Sequence, residues 1–389
     1  LGGAVFLIAN PVFIYTSGLA WNHDFPVLLN ALALVVYCRA LQREDRGKWV
    51  AIAGALLGMA VGARLIFVLL LIPFLMMALF YPGLGAWKRR LHSVTALLLG
   101  TFAALSPALL TFALSGERFV WGNLGYHQLN ELYRQQTGHT QMMTPESKLD
   151  YLRDVLTEPG TLILLLLAAI LLLTNLRRMR MEPARYIGFA LASLLIPFAL
   201  VGALIPTPTW YQYYYAPVSL LVLGVIYGLV PHSGRTKLDW RLGLFLVAVI
   251  ASGVAGLSGY LRAGLLSTEN WVPIKTHRTG EEIKVRVPDG KVLTLAPIFP
   301  LEGGVGIYKE LAAGPFTWRS ATLMPAGERA QLGIISEQEL GELLASDPPA
   351  GILVGYEPDL EGPLARYAQD GNFVPFDLMD GKTLWVARR

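Results

Sequence analysis

The chain has 389 residues, of which 54% are hydrophobic and 15% charged, with a mean hydropathy of +0.47; this is too apolar for a soluble enzyme of such length and indicates a membrane protein, excluding disorder, collagen and coiled coil. A single cysteine, Cys38, excludes a disulfide scaffold or a cysteine-built zinc site. The net charge of +4 divides into +9 for residues 1–264 (20 Lys+Arg, 11 Asp+Glu) and −5 for residues 265–389 (12 and 17), and the basic residues lie in short loops between apolar runs, which excludes the concentrated basic face that nucleic acid needs.

Apolar runs long enough to cross a hydrocarbon core of about 30 Å as helices recur through the first two thirds. Nine spans are predicted, at about 1–16, 25–41, 49–63, 65–80, 93–114, 159–176, 186–205, 213–230 and 242–261. The third and fourth are separated because Trp49 to Tyr81 as one helix would be about 50 Å long, so two short helices are expected to meet near Gly62-Ala63-Arg64. With that count, fourteen Lys and Arg fall on one side, in the loops holding Arg39 to Lys48, Lys88 to Arg90, Arg177 to Arg185 and Arg235 to Arg241. Six fall on the other: Arg64, Arg118, Arg134, Lys148, Arg153 and Arg262. The positive-inside rule makes the first side cytoplasmic.

The chemistry-bearing residues then share the outer face. Asp24 follows Trp21-Asn22-His23 and precedes Phe25-Pro26 where the chain re-enters the membrane, a costly place for a carboxylate unless it is used or caps the helix. Arg64 is the one charge between Trp49 and Tyr81, placed either to snorkel to headgroups or to bind a lipid phosphate bidentately. The loop 115–158 contains Pro145 to Leu156, whose Leu149, Leu152 and Leu156 share a helical face and predict a helix lying at the membrane surface. Its His127 and His139 are ordinary loop histidines or, with His23 and Asp24, ligands of a divalent metal. Trp210, Tyr211, Gln212, Tyr213, Tyr214 and Tyr215 form either an interfacial aromatic belt or a surface for sugar rings and phosphate.

Residues 1–262 are therefore read as a polytopic α-helical membrane domain and 265–389 as a small extracytoplasmic α/β domain. In the latter, Lys291–Ala296, Gly351–Tyr356 and Leu384–Ala387 are expected strands, and Ser336 with Glu339 makes a capping box for a helix to Ala345. Gly303, Gly304 and Gly306 lack the spacing of a nucleotide-binding loop and are expected in turns.

The run Asn10-Pro11-Val12-Phe13 through Ser17-Gly18-Leu19-Ala20-Trp21-Asn22-His23-Asp24-Phe25-Pro26, the Gly54-to-Arg64 helix end and the Tyr-rich segment resemble the GT-C type glycosyltransferases that use lipid-linked sugars. The likeness is to the bacterial relatives of the protein mannosyltransferases and aminoarabinose transferases (family 39-like), and it covers residues 1 to about 262. It implies an inner-membrane enzyme that transfers a sugar, with inversion, from a polyprenyl phosphate to a lipid, glycan or protein acceptor. It also implies Asp24 and His23 as catalytic groups and Arg64 with residues 210–214 as substrate-binding groups. The family's principal acidic motif would lie upstream of residue 1, so the chain is expected to be N-terminally truncated, with Asp24 matching a second outer-face carboxylate that serves as the base or instead orients the acceptor or binds a metal. The alternative is a flippase or transporter of lipid-linked sugars, whose charged groups and repeats would gather at the bilayer midplane.

Overall fold

In the computed structural model, which describes residues 1–18, 22–41, 43, 45–81, 86–229, 240–262 and 267–388, the long apolar runs are helices. That follows from the solvent, because backbone in hydrocarbon must find every hydrogen-bond partner within itself. Trp21 and the basic residues Arg235 and Lys237 lie outside the described residues. The chain divides into two units, residues 1–116 with 140–263 and residues 117–139 with 264–389.

The first unit starts with α1 (Gly2–Ile8) and α2 (Pro11–Gly18) where the sequence predicts one span over 1–16. Pro11 has no N–H to continue the first helix, and the Asn10 side chain accepts the Val12 N–H at 2.9 Å and donates to Thr161 Oγ1 at 3.1 Å. Next come α3 (Asp24–Ala40) and α4 (Arg46–Ala63). At Arg64 the backbone turns extended (φ −154°, ψ 119°), then resumes as a 3-10 turn over Leu65–Leu70 and α5 (Leu71–Phe80). The break near residue 64 reverses the chain. Arg64 reaches Asn22 at the head of α3, while at the other end of α5 the Leu79 carbonyl accepts from Arg90, two residues from the His92 that lies against Gly47 at the head of α4.

α6 (Trp87–Val120) crosses α4 through glycines: a Cβ on Gly54 would stand 2.1 Å from the Leu97 carbonyl oxygen, and one on Gly100 would stand 1.9 Å from that of Ala51. Thr101 Oγ1 uses the approach to donate to the Gly54 carbonyl at 3.0 Å. This small-residue contact lets helices pack where lipid supplies no hydrophobic drive. After α8 (Pro145–Thr157), the helices α9 (Pro159–Met181), α10 (Pro183–Leu204), α11 (Tyr215–Leu229) and α12 (Trp240–Arg262) complete the unit.

Among the described residues four helical stretches are long and apolar enough to cross a membrane: within Trp87–Gln136, Pro159–Met181, Pro183–Leu204 and Tyr211–Leu229. Leu65–Phe80 and Trp240–Gly256 are shorter apolar helices. Outward side chains such as Leu173 (71% exposed) and Val254 (70%) suit a lipid surface and would be a liability in water. Polar contacts sort the loops into two ends. One end joins Asn22, Arg64, Lys148, Glu158, Thr207 and Tyr211, and the other joins Tyr81 to Pro183 and Asn175 to Arg241.

In the second unit, α7 (Tyr126–Gln136) continues from α6 after a non-helical Ser115 (φ −146°) and a π-turn at Trp121–Gly125. Trp121 and Leu129 pack on Ala321, Met324 and Ile334, Tyr126 stacks edge-on with Phe316, and Arg118 donates to the Gln331 carbonyl. α13 (Val272–Arg286) precedes a five-stranded mixed sheet of β1 (Lys291–Leu293), β2 (Gly306–Ile307), β3 (Gly351–Val354), β4 (Phe373–Asp377) and β5 (Thr383–Ala387), ordered β2-β1-β3-β5-β4. The first three run parallel and the last two pair antiparallel. The capping box is present at the helix Glu337–Ser346, and Arg329 grips Glu339. That bond, chiefly, holds the Glu339 carboxyl down at about 2. Gly303 and Gly304 lie in a turn, with Gly304 at φ +69°, whereas Gly306 lies in β2 rather than in a turn because it pairs there with Lys291.

Candidate functional site

One end of the first unit gathers four of the predicted residues. Asp24 opens α3 with His23 in the capping position, and Ser17 at the end of α2 donates to Asp24 Oδ1 at 2.8 Å. Tyr215, buried at the head of α11, lies against the same carboxylate. Arg64 is aimed by its extended backbone. Its Nη1 binds Asn22 Oδ1 and stands 3.1 Å from His23 Nδ1, and its Cζ lies 5.4 Å from the Tyr213 ring centre. The His23 and Tyr213 rings are 5.6 Å apart.

His23 is only 2% exposed. Burial first, and the Arg64 charge second, push it down to about 3, so the imidazole is neutral across the physiological range. A guanidinium can only donate, so Nδ1 is the acceptor and the ring proton belongs on Nε2. That nitrogen is buried without a hydrogen-bond partner. His23 and Tyr213 are the polar members of the wall of an open recess of about 310 Å³, open solvent included, otherwise lined by residues such as Ile66, Phe67, Leu70 and Phe198.

The remaining predicted residues go elsewhere at this end. Tyr211 donates to Glu158 Oε1 and meets the edge of Tyr15 at 5.2 Å, and Tyr214 is buried against Tyr151. Gln212 is buried and Trp210 begins the 3-10 turn. None of the four lines the pocket, because the tight turn at Tyr211–Tyr214 points successive side chains in different directions and gives only Tyr213 to it. Trp210 and Tyr211 are half-buried, and Tyr211 points to α9.

Three polar residues join this end without having been singled out. Lys148 donates to the Leu204 carbonyl at 3.0 Å and to Thr207 Oγ1 at 2.9 Å. Glu158, raised above the usual carboxylate range by burial, heads α9 directly before Pro159. The pairing Glu158-Pro159 is the same signal that marks Asp24 before Pro26, a carboxylate where a chain enters an apolar run, so it was readable. Ser17 has no such signal. His127 and His139 belong to the second unit, and among the described residues no three His, Cys, Asp or Glu gather as a metal site.

The arrangement offers a part-exposed carboxylate, a fixed guanidinium and a neutral imidazole at the mouth of an apolar cavity. Such a set can take a proton from a hydroxyl and neutralise an anion whose body is apolar. Compared with known proteins, the chain matches no family model and no curated sequence.

Proposed function

We propose that the chain is a multi-pass inner-membrane glycosyltransferase that moves a sugar from a polyprenyl-phosphate donor to an acceptor hydroxyl at the extracytoplasmic face, with nine spans and the second unit outside. The observation that carries the reading is the meeting of Asp24, Arg64, His23 and Tyr213 at one end of the helices, beside an apolar pocket. The donor's chain belongs in hydrocarbon while its phosphate and sugar reach the interface, and a site of this composition at this depth matches both parts.

In the reaction the acceptor oxygen attacks the anomeric carbon as the bond from that carbon to the phosphate oxygen breaks. The hydroxyl proton passes to the Asp24 carboxylate, held by Ser17, and the charge left on the phosphate is met by Arg64. Displacement from the opposite face inverts the anomeric configuration. The sorting of basic loops to the opposite end supports the sidedness.

The test is the complete protein in nanodiscs with a panel of polyprenyl-phosphate hexoses and pentoses and mixed lipid, glycan and peptide acceptors. A glycosylated product with inverted anomeric configuration, together with free polyprenyl phosphate, is expected. Donors that stay intact, or that merely cross the bilayer, would refute the proposal and leave a carrier role.

A further inference from the structure

The second unit carries chemistry that the transferase reading leaves unused. Its sheet places β2 and β3 on either side of β1, all three parallel, so the connection from β1 to β2 and that from β2 to β3 run on opposite faces. The two cores agree. Val292 and Leu353 pack with Phe299 of α14 (Ile298–Glu302) on one face, and Leu293 and Ile352 pack with Trp318 of α15 (Pro315–Ala321) on the other. Where parallel strands part their connections in this way, their carboxyl edge opens between the two layers and is the usual place of a ligand. The loops there are already set: Glu361, 2% exposed, accepts the Gly355 N–H at 2.6 Å and the Tyr356 N–H at 3.2 Å, and Trp318 Nε1 donates to the Leu360 carbonyl at 3.1 Å.

Charged and aromatic side chains converge on that edge. Arg319 of α15, its side chain 12% exposed, holds Nη2 3.7 Å from Glu357 Oε1 in the loop after β3, an ion pair too long to be a hydrogen bond. Arg134 of α7 lies close enough to both for their charges to act on it. On the same face of α7, Tyr126 meets Phe316 of α15 at 6.2 Å. Asn130, midway between Tyr126 and Arg134, is buried with an amide oxygen that has no hydrogen-bond partner. Phe316 and Tyr356 are 53% and 52% exposed, so solvent reaches the edge. Two guanidiniums suit a carboxylate or phosphate, a carboxylate and an orphaned amide oxygen accept from hydroxyls, and aromatic rings suit the apolar face of a pyranose.

We infer that the carboxyl edge of β1 and β3 binds an acidic saccharide: Arg134 and Arg319 meet its carboxylate or phosphate, Glu357 and Asn130 accept from its hydroxyls, and the rings of Phe316 and Tyr356 flank it. A polyanion such as an acidic peptide fits less well, because Glu357 beside the arginines repels a second negative charge, whereas one anion set among hydroxyls satisfies both signs. The inference concerns binding by the second unit and stands apart from the transferase reading, to which it would supply the class of acceptor.

Binding is measured on the complete protein in nanodiscs by saturation-transfer NMR, with no lipid-linked donor present. Methyl glucuronide and glucose 6-phosphate carry the anion as a carboxylate and as a phosphate; methyl glucoside supplies the ring without the charge, and inorganic phosphate the charge without the ring. Saturable binding is expected for one or both acidic sugars, about tenfold tighter than for either half. Arg134→Gln should weaken it about tenfold, the loss of a charge-assisted bond. Phe316→Ala, which trims an exposed ring and leaves the fold intact, should weaken it about threefold. Lys284→Gln, exposed beside the start of β1, should change nothing.

Methyl glucoside binding as tightly as the acids, no saturable binding of either acid, displacement of the acid by polyglutamate at equal charge, or unchanged affinity in folded Arg134→Gln and Phe316→Ala variants would each overturn the inference. Binding that depends on these residues in a protein that transfers no sugar would uphold it and sink the enzymatic reading. Transfer from a polyprenyl phosphate by a protein that binds neither acid would do the reverse.

Discussion

Asp24 and Arg64 are each fixed by a different neighbour, so their variants should behave differently. Ser17→Ala removes a 2.8 Å bond to Asp24 while leaving the carboxylate in place, and it should lower turnover by about two- to fivefold. Arg64→Lys keeps the charge but cannot reach Asn22, His23 and the face of Tyr213 together, so it should retain under about a tenth of the activity. Initial rates of polyprenyl phosphate release measure both, and a fully active Arg64→Lys would mean that charge alone suffices. At this scale the sequence was a fair guide to which residues meet, because a carboxylate at a helix start and one guanidinium in an apolar run are costly and conspicuous. It could not tell which of five adjacent aromatic residues faces the pocket, since a 3-10 turn hands successive side chains to different neighbours. It named His23 as a catalytic group or metal ligand but could not show that Arg64 stands at its Nδ1.

The glycines of α4 illustrate the same limit for elements. Gly54, Gly58 and Gly62 look alike in the sequence, but a Cβ on Gly54 would meet the Leu97 carbonyl at 2.1 Å and one on Gly62 would meet only Leu105 at 3.8 Å. Gly54→Leu should therefore force α4 from α6 and lower the melting temperature in detergent sharply, at a cost of about 1–3 kcal/mol or more, while Gly62→Ala should be close to neutral. Thermal unfolding followed by tryptophan fluorescence distinguishes them, and equal melting temperatures would contradict the crossing. Hydropathy counting likewise passes over the break at Asn10, because one polar residue before a proline barely changes a window's average. It also assigns the helix Tyr126–Gln136 to an outer loop, although its apolar side covers Ala321, Met324 and Ile334, some 190 residues further along the chain.

For the whole molecule this membership predicts how the second unit behaves in isolation. Residues 264–389 alone would leave the patch under Trp121 and Leu129 bare, so the fragment should bind a hydrophobic dye and melt at lower temperature than one with 117–139 joined to it. Indistinguishable melting would show that α7 contributes nothing. In the joined fragment the Glu339 carboxyl titrates near 2, below its unfolded value of about 4.3. Its contribution to stability is thus complete above about pH 4.3 and is lost as the pH falls through the folded value, a dependence that Glu339→Gln should flatten.

The proposed sidedness can be tested at the two ends. Cys38 is buried, so its failure to label would say nothing about topology, and introduced cysteines are needed. Glu146→Cys, exposed at the end holding Arg64, should react with an impermeant maleimide on intact cells, and Met181→Cys at the opposite end should react only after lysis. The reverse pattern would invert the orientation.

The central claim is that the Asp24 and Arg64 end transfers sugar from a lipid phosphate, and the rate of polyprenyl phosphate release by the complete reconstituted protein tests it most directly. Asp24→Asn and Arg64→Ala, at wild-type expression and melting temperature, should each lower that rate at least about tenfold. Near-normal rates in both would contradict the account and leave a helix cap and a headgroup anchor in place of a reacting centre.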